Sequence, residues 1–103
     1  MDEIRHPVIS NFLEYIQNVR RYSSHTIRSY SHDLEEYYSF CKGFDTEQEF
    51  IDLDHTAIQS YLQQLSRKGL SPKTLARRLA SIKSLYKYML INNLVDVNIA
   101  RFV

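Results

Sequence analysis

The sequence predicts an all-α fold, and three observations carry that prediction. Only two glycines and two prolines interrupt the 103 residues, and 44% of the residues are apolar. Such a composition favours long helices over the many turns that a strand-rich fold needs. The apolar residues also recur at intervals of three and four positions, as they do along one face of a helix. We therefore expect a compact bundle of four main helices in a single domain over residues 1–103.

The first two helices are predicted over residues 7–21 and 24–42. Ser23 or Ser24 is suited to cap the start of the second helix, and Gly43 is suited to the left-handed position that ends it. Their inward faces consist of Val8, Ile9, Phe12, Leu13, Ile16 and Val19 in the first helix, and of Ile27, Tyr30, Leu34, Tyr37, Tyr38 and Cys41 in the second.

The third and fourth helices are predicted over residues 55–68 and 72–91. Asp54 and Ser71 are suited to cap their first turns, and Gly69 to end the third helix. Their inward faces consist of Ala57, Ile58, Tyr61, Leu62 and Leu65 in the third helix, and of Leu75, Leu79, Ile82, Leu85, Tyr86 and Met89 in the fourth.

The second and fourth helices resemble each other at an offset of 48 residues. Each follows a shorter helix, so the pattern predicts two similar helical hairpins packed together. The matching pairs are Ser23/Ser71, Thr26/Thr74, Ile27/Leu75, Leu34/Ile82 and Tyr38/Tyr86.

Charge is distributed unevenly along the chain. Residues 1–66 hold 5 Lys or Arg against 11 Asp or Glu, whereas residues 67–103 hold 8 against 1. No acidic residue occurs between His55 and Val95. A basic surface with so little compensation favours an anionic partner, and a nucleic-acid backbone is the commonest one.

Helical geometry places the cations of the fourth helix away from its apolar face. Lys73, Arg77, Ser81 and Ser84 are predicted to point outward, where small and basic side chains suit close contact with DNA. The start of the second helix offers a similar set of hydroxyl and basic groups. The predicted DNA-binding residues are Ser24, His25, Thr26, Arg28, Lys73, Thr74, Arg77, Arg78, Ser81, Lys83, Ser84 and Lys87.

Two alternatives stay open at this point. Arg78 lies near the core edge, where it either contacts DNA or pairs with an acid of the first half of the chain. The basic surface itself either binds a nucleic acid or docks an acidic protein partner, possibilities that composition alone does not separate.

No catalytic, metal or cofactor site is predicted. His6, His25, His32 and His55 lack metal-ligand spacing, and no glycine-rich phosphate loop occurs. The tyrosines on the inward faces are expected to pack with exposed hydroxyl groups, and the single Cys41 to lie buried. With no signal peptide or apolar span of membrane length, we expect a cytoplasmic protein with no membrane association.

An ordered series of motifs resembles the N-terminal core-binding, SAM-like domain of tyrosine recombinases, the family of phage integrases and Xer recombinases. The motifs are Phe12-Leu13-Glu14-Tyr15-Ile16, Ser23-x-x-Thr26-x-x-x-Tyr30-x-x-Asp33-Leu34, Tyr61-Leu62-x-x-Leu65 and Gly69-Leu70-Ser71-x-x-Thr74-Leu75-x-Arg77-Arg78-Leu79-x-x-Ile82-x-x-Leu85-Tyr86-x-Tyr88. One departure is Asn98-Ile99-Ala100, where the family often has Asn-Pro-Ala.

The resemblance implies a helical domain that forms half of a clamp around double-stranded DNA. In the family the second and fourth helices approach the major groove, and a larger C-terminal domain carries the Arg, His and Tyr chemistry. The resemblance therefore implies no catalytic residue in this chain and a catalytic domain C-terminal to it. We expect the full-length protein to form a homo- or hetero-tetramer on DNA, and the fragment alone to be monomeric. Neutralising five or six phosphates would give log K a slope of roughly −5 against log salt.

Overall fold

Four α-helices form the protein in a computed structural model that describes residues 5–103. They are α1 (Pro7–Asn18), α2 (Ser24–Phe44), α3 (His55–Arg67) and α4 (Pro72–Ile91), with short 3-10 turns at Phe50–Asp52 and Ile99–Phe102. No strand occurs in the described part of the chain. The all-α prediction of four main helices is confirmed.

Side-chain caps begin the helices where the sequence places them. Ser23 caps α2 and Ser71 caps α4, and each hydroxyl accepts a hydrogen bond from a backbone N–H of the first turn. Asp54 caps α3 by accepting from the backbone of Thr56 at 3.0 Å. These contacts satisfy N–H groups that have no partner inside the helix.

Two helix ends differ from the prediction. The first helix ends at Asn18 instead of residue 21, and Arg21 adopts a left-handed φ of 59° in the turn that follows. The second helix runs through Gly43 to Phe44, so the prediction that Gly43 ends it is wrong. Gly69 does occupy the left-handed position after α3, with a φ of 91°.

The core lies between two helical hairpins. α1 packs on α2 and α4, α3 packs on the same two helices, and α2 contacts α4 directly. The pairing of α1 with α2 and of α3 with α4 matches the two predicted hairpins. The fully buried members include Ile9, Leu34, Cys41, Ile58, Ile82, Leu85 and Met89.

Three tyrosines correct the expectation of exposed hydroxyl groups, because Tyr37, Tyr61 and Tyr86 are all buried. The hydroxyl oxygens of Tyr37 and Tyr86 lie 3.0 Å apart in a hydrogen bond. Burial raises the pKa of both phenols, so both stay neutral. The contact ties α2 to α4 across the centre of the bundle.

Within residues 5–103, no helix combines the length and apolar character that crossing a membrane requires.

Candidate nucleic-acid interface

The first turns of α2 and α4 have the same local structure. Ser23 Oγ accepts from the Thr26 backbone N–H at 3.2 Å, and Ser71 Oγ accepts from that of Thr74 at 3.2 Å. Each serine also donates to the threonine hydroxyl, at 3.0 Å in α2 and 3.1 Å in α4. The 48-residue repeat therefore extends to hydrogen bonds, and both threonine hydroxyls are already engaged by their caps.

Asp33 of α2 lies at the centre of a polar network between α2 and α4. Its side chain is 1% exposed, and its two carboxylate oxygens lie 2.6 and 2.7 Å from Nη1 of Arg77. Ser81 donates a further hydrogen bond to Asp33 at 2.8 Å. A buried carboxylate requires such partners, because desolvation of an unpaired charge is costly.

Arg78 belongs to the interior side of the same network. Its Nη1 donates to Glu36 at 3.1 Å and to the Tyr61 hydroxyl at 3.0 Å. Its Nε lies 3.8 Å from Asp33 and has no hydrogen-bond partner. Burial disfavours the charged form, but the bonds to Glu36 and Tyr61 outweigh it, and the pKa of Arg78 lies above its ordinary value.

The structure corrects several predicted site residues. Arg78 and Ser81 are buried and engaged between helices, which argues against DNA contacts by either side chain. The predicted outward position of Ser81 is wrong because α2 covers that side of α4. Arg77 remains half-exposed, but it pairs with Asp33 of the acidic half and is not an uncompensated cation.

The remaining predicted residues lie at the surface. Among residues 5–103, no ion pair or hydrogen bond engages the charged groups of Arg28, Lys73, Lys83 and Lys87, and all four side chains are exposed. Ser24 and His25 are exposed on the first turn of α2. Thr26 and Thr74 are half-buried beside their caps.

Ser84 lies at the edge of this surface. It is half-buried, and its hydroxyl lies 3.4 Å from that of Tyr30. Next to it lies a cavity of about 420 Å³ that is open to solvent and is lined mainly by residues of α1, α2 and α4. The cavity is lined by Phe12, Tyr15, Ile16, Arg20, Tyr22, Tyr30, Ser84, Lys87, Tyr88, Ile91 and Asn92, without an acidic side chain.

The predicted site omits four members of this network, Ser29, Asp33, Glu36 and Tyr61. Ser29 accepts from Arg77 at 3.2 Å. The pairs Ser29/Arg77 and Asp33/Ser81 are each separated by 48 residues, the offset of the internal repeat. Both pairs join positions that the sequence repeat makes equivalent, so the repeat is the signal in the sequence that could have indicated these contacts.

The described residues contain no group of three or more His, Cys, Asp or Glu side chains arranged to hold a metal ion.

The fold and this surface define a small helical domain with exposed cations on its second and fourth helices. Residues 9–92 match the family described as the phage integrase N-terminal SAM-like domain. Because the match covers most of the chain, the protein belongs to this family, and the resemblance noted in the sequence is confirmed.

Its curated relatives are tyrosine recombinases. The chain is 35% identical over 95 residues to tyrosine recombinase XerC of Thermodesulfovibrio yellowstonii, covering 92% of this chain and 30% of the relative. It is 33% identical over 81 residues to XerC of Lacticaseibacillus casei, covering 79% of this chain and 27% of the relative. The chain thus spans about a third or less of the length of these relatives. No solved structure shows a significant match to it.

Proposed function

We propose that this chain is a non-catalytic DNA-binding domain of a site-specific tyrosine recombinase. Its task is to hold duplex DNA at the recombination site. The observation that carries the proposal is the set of four exposed cations, Arg28, Lys73, Lys83 and Lys87, without ion pairs among residues 5–103. Membership in the recombinase family supports duplex DNA as the anion that these cations meet.

The proposed contacts are mainly to phosphates. Lysine and arginine side chains neutralise backbone charge, while exposed hydroxyl and imidazole groups donate to phosphate oxygens. Ser24 and His25 supply such groups on α2, and Ser84 supplies a hydroxyl on α4. Thr26 and Thr74 take a secondary part, because both side chains are half-buried.

The ion pairs lower the expected salt dependence. Arg77 and Arg78 face Asp33 and Glu36, so each arginine carries a compensating acid. Four uncompensated cations give log K a slope of about −4 against log salt, in place of the −5 expected from the sequence.

Charge reversal of lysines inside and outside the proposed surface tests the proposal. Lys83→Glu and Lys87→Glu should each weaken binding to a generic 20-base-pair duplex by about tenfold or more, since each removes a phosphate contact and adds repulsion. Lys42→Glu makes the same charge change on the last turn of α2, outside the proposed surface, and should have a much smaller effect.

Fluorescence anisotropy at fixed salt gives the affinities, and circular dichroism melts check that each variant folds. Equal weakening by all three variants would contradict a localised surface.

An acidic protein partner is the competing proposal. In that case the duplex does not bind, and Lys83→Glu or Lys87→Glu abolishes association with a second copy or with an acidic peptide.

The wider assignment follows the same reasoning. We propose that the chain acts as one core-binding domain of a longer cytoplasmic recombinase, whose Arg, His and Tyr chemistry lies in a C-terminal domain. The isolated domain is proposed to be monomeric, and the full recombinase to assemble as a tetramer on DNA.

A further inference from the structure

Arg77 is held by only one of its three guanidinium nitrogens. Nη1 donates to both oxygens of Asp33 and to the hydroxyl of Ser29, at 2.6, 2.7 and 3.2 Å. Nε and Nη2 make no hydrogen bond within residues 5–103. The side chain is 47% exposed. Two donors on one edge of the guanidinium are therefore available to a ligand.

Asp33 is a rigid anchor for this arrangement. Its carboxylate is 1% exposed and also accepts from Ser81, so its position is fixed between α2 and α4. An arginine bonded to such a group loses rotamer freedom before any ligand arrives. Preorganisation of this kind reduces the entropy cost of binding.

The Nε and Nη2 edge of Arg77 has the geometry that suits a phosphate group. The Nε and Nη2 donors of a guanidinium form a planar fork that matches two oxygens of a phosphate. Arg77 lies one turn after Lys73 on the exposed side of α4. A backbone phosphate that reaches Lys73 is therefore a natural ligand for this fork.

We propose that Asp33 is a positioning residue for DNA binding. It holds Arg77 through Nη1 so that the Nε and Nη2 edge binds one phosphate of the duplex. This inference rests on the proposed function, since it requires DNA as the ligand.

The direction in which one substitution changes duplex affinity separates this proposal from an effect of charge alone. Asp33→Asn removes a negative charge near DNA, so charge alone predicts equal or tighter binding. Positioning predicts the opposite, because an amide does not hold Arg77 as strongly. We expect Asp33→Asn to weaken duplex binding about fivefold to tenfold. Glu36→Gln, which removes a charge beside Arg78, should leave the affinity equal or higher.

The experiment is a double-mutant cycle on duplex affinity with Asp33→Asn, Arg77→Ala and the double variant. If Asp33 acts through Arg77, the double variant should bind no more weakly than Arg77→Ala alone. Arg77→Lys should not restore binding, because an ammonium group lacks the fork. Ser81→Ala removes one of the bonds that fix Asp33 but leaves the bonds between Asp33 and Arg77 in place. It should lower the melting temperature and weaken binding less than Asp33→Asn does.

Ser29→Ala provides a second route if Asp33→Asn does not fold. It removes the other anchor of Arg77 Nη1 and should weaken binding about twofold. Equal or tighter binding by folded Asp33→Asn would overturn the positioning role. So would a weakening by Asp33→Asn that is as large in the Arg77→Ala background as in the unsubstituted chain. Where Asp33→Asn does not fold, unchanged affinity of Ser29→Ala would overturn it. Absence of duplex binding by the unsubstituted chain would instead refute the proposed function itself.

Discussion

The phenol hydroxyls of Tyr37 and Tyr86 lie in contact in the core, where burying a polar atom without a hydrogen-bond partner lowers stability. Their hydroxyls share a hydrogen bond of 3.0 Å in the buried centre of the bundle. Each oxygen depends on the other, since removing one partner leaves the second without compensation for its desolvation. The pair therefore couples α2 to α4 by a contact that neither residue provides alone.

A phenylalanine at either position should expose this dependence. Tyr37→Phe should lower the free energy of unfolding by about 1–2 kcal/mol, because the Tyr86 hydroxyl loses its partner. The double variant Tyr37→Phe/Tyr86→Phe should cost less than the two single changes added together. Urea denaturation of the three variants measures the coupling, and strictly additive losses would show that the hydrogen bond contributes nothing.

Cys41 should be chemically inert in the folded protein. Burial raises the pKa of its thiol to about 12, so the reactive thiolate is scarce near neutral pH and grows only as the pH approaches that value. Iodoacetamide at pH 8 should leave native protein unmodified, and should label the same protein in denaturant within minutes. Mass spectrometry measures both. Rapid labelling of the native form would contradict the buried position.

Asp33 shows why part of the site escaped prediction. The later turns of α2 carry Asp33, Glu35 and Glu36, and DNA would repel such acids if they were exposed. The structure instead buries Asp33 against Arg77, a residue 44 positions away. Local patterns do not specify which distant cation faces a given acid. Burial of Ser81 escaped prediction for the same reason. For Arg78, the structure shows the second of the two alternatives that the sequence left open, pairing with an acid of the first half of the chain.

At the scale of the element, helix starts were predictable because their causes are local. A serine or aspartate cap bonds an N–H only two or three residues away, so sequence and structure agree at Ser23, Asp54 and Ser71. Helix ends were less predictable, since α1 ends at Asn18 and α2 continues through Gly43 to Phe44.

The two equivalent serine caps should contribute similar stability. Ser23→Ala and Ser71→Ala should each cost about 1 kcal/mol, since each leaves a first-turn N–H without its acceptor. A loss of that size corresponds to roughly 5 °C in the melting temperature of a domain of this length. Ser66→Ala, within α3, is the matched control and should be neutral or slightly stabilising. Thermal melts that show equal changes in all three would contradict the capping role.

The two glycines should respond in opposite directions to alanine. Gly69 has a φ of 91°, where an L side chain is strained, so Gly69→Ala should destabilise by about 1 kcal/mol. Gly43 lies inside α2, and a Cβ there would meet no atom within 4 Å. Gly43→Ala should therefore stabilise by about 0.5 kcal/mol through helix propensity. Chemical denaturation measures both, and a shared sign would contradict the assigned backbone conformations.

At the scale of the whole molecule, the 48-residue repeat and the charge asymmetry act together. α2 and α4 pack face to face, and positions separated by 48 residues meet at Ser29/Arg77 and Asp33/Ser81. Contacts across that interface use acids of the first half to fix arginines of the second half. What remains uncompensated is a smaller set of exposed cations than the sequence suggested.

Composition and periodicity predicted the all-α class and the hairpin arrangement, because both depend on averages over many residues. The net charge of the final surface was less predictable. It depends on individual ion pairs, such as Arg78 with Glu36 at 3.1 Å, that form only when the hairpins pack.

The salt dependence of duplex binding tests the central claim most directly. Anisotropy titrations between about 50 and 200 mM salt should give log K a slope of about −4 against log salt, falling to about −3 for Lys83→Gln and unchanged for Lys42→Gln. A slope near zero, or an equal reduction by both variants, would contradict a DNA-binding surface built from the exposed cations of α2 and α4.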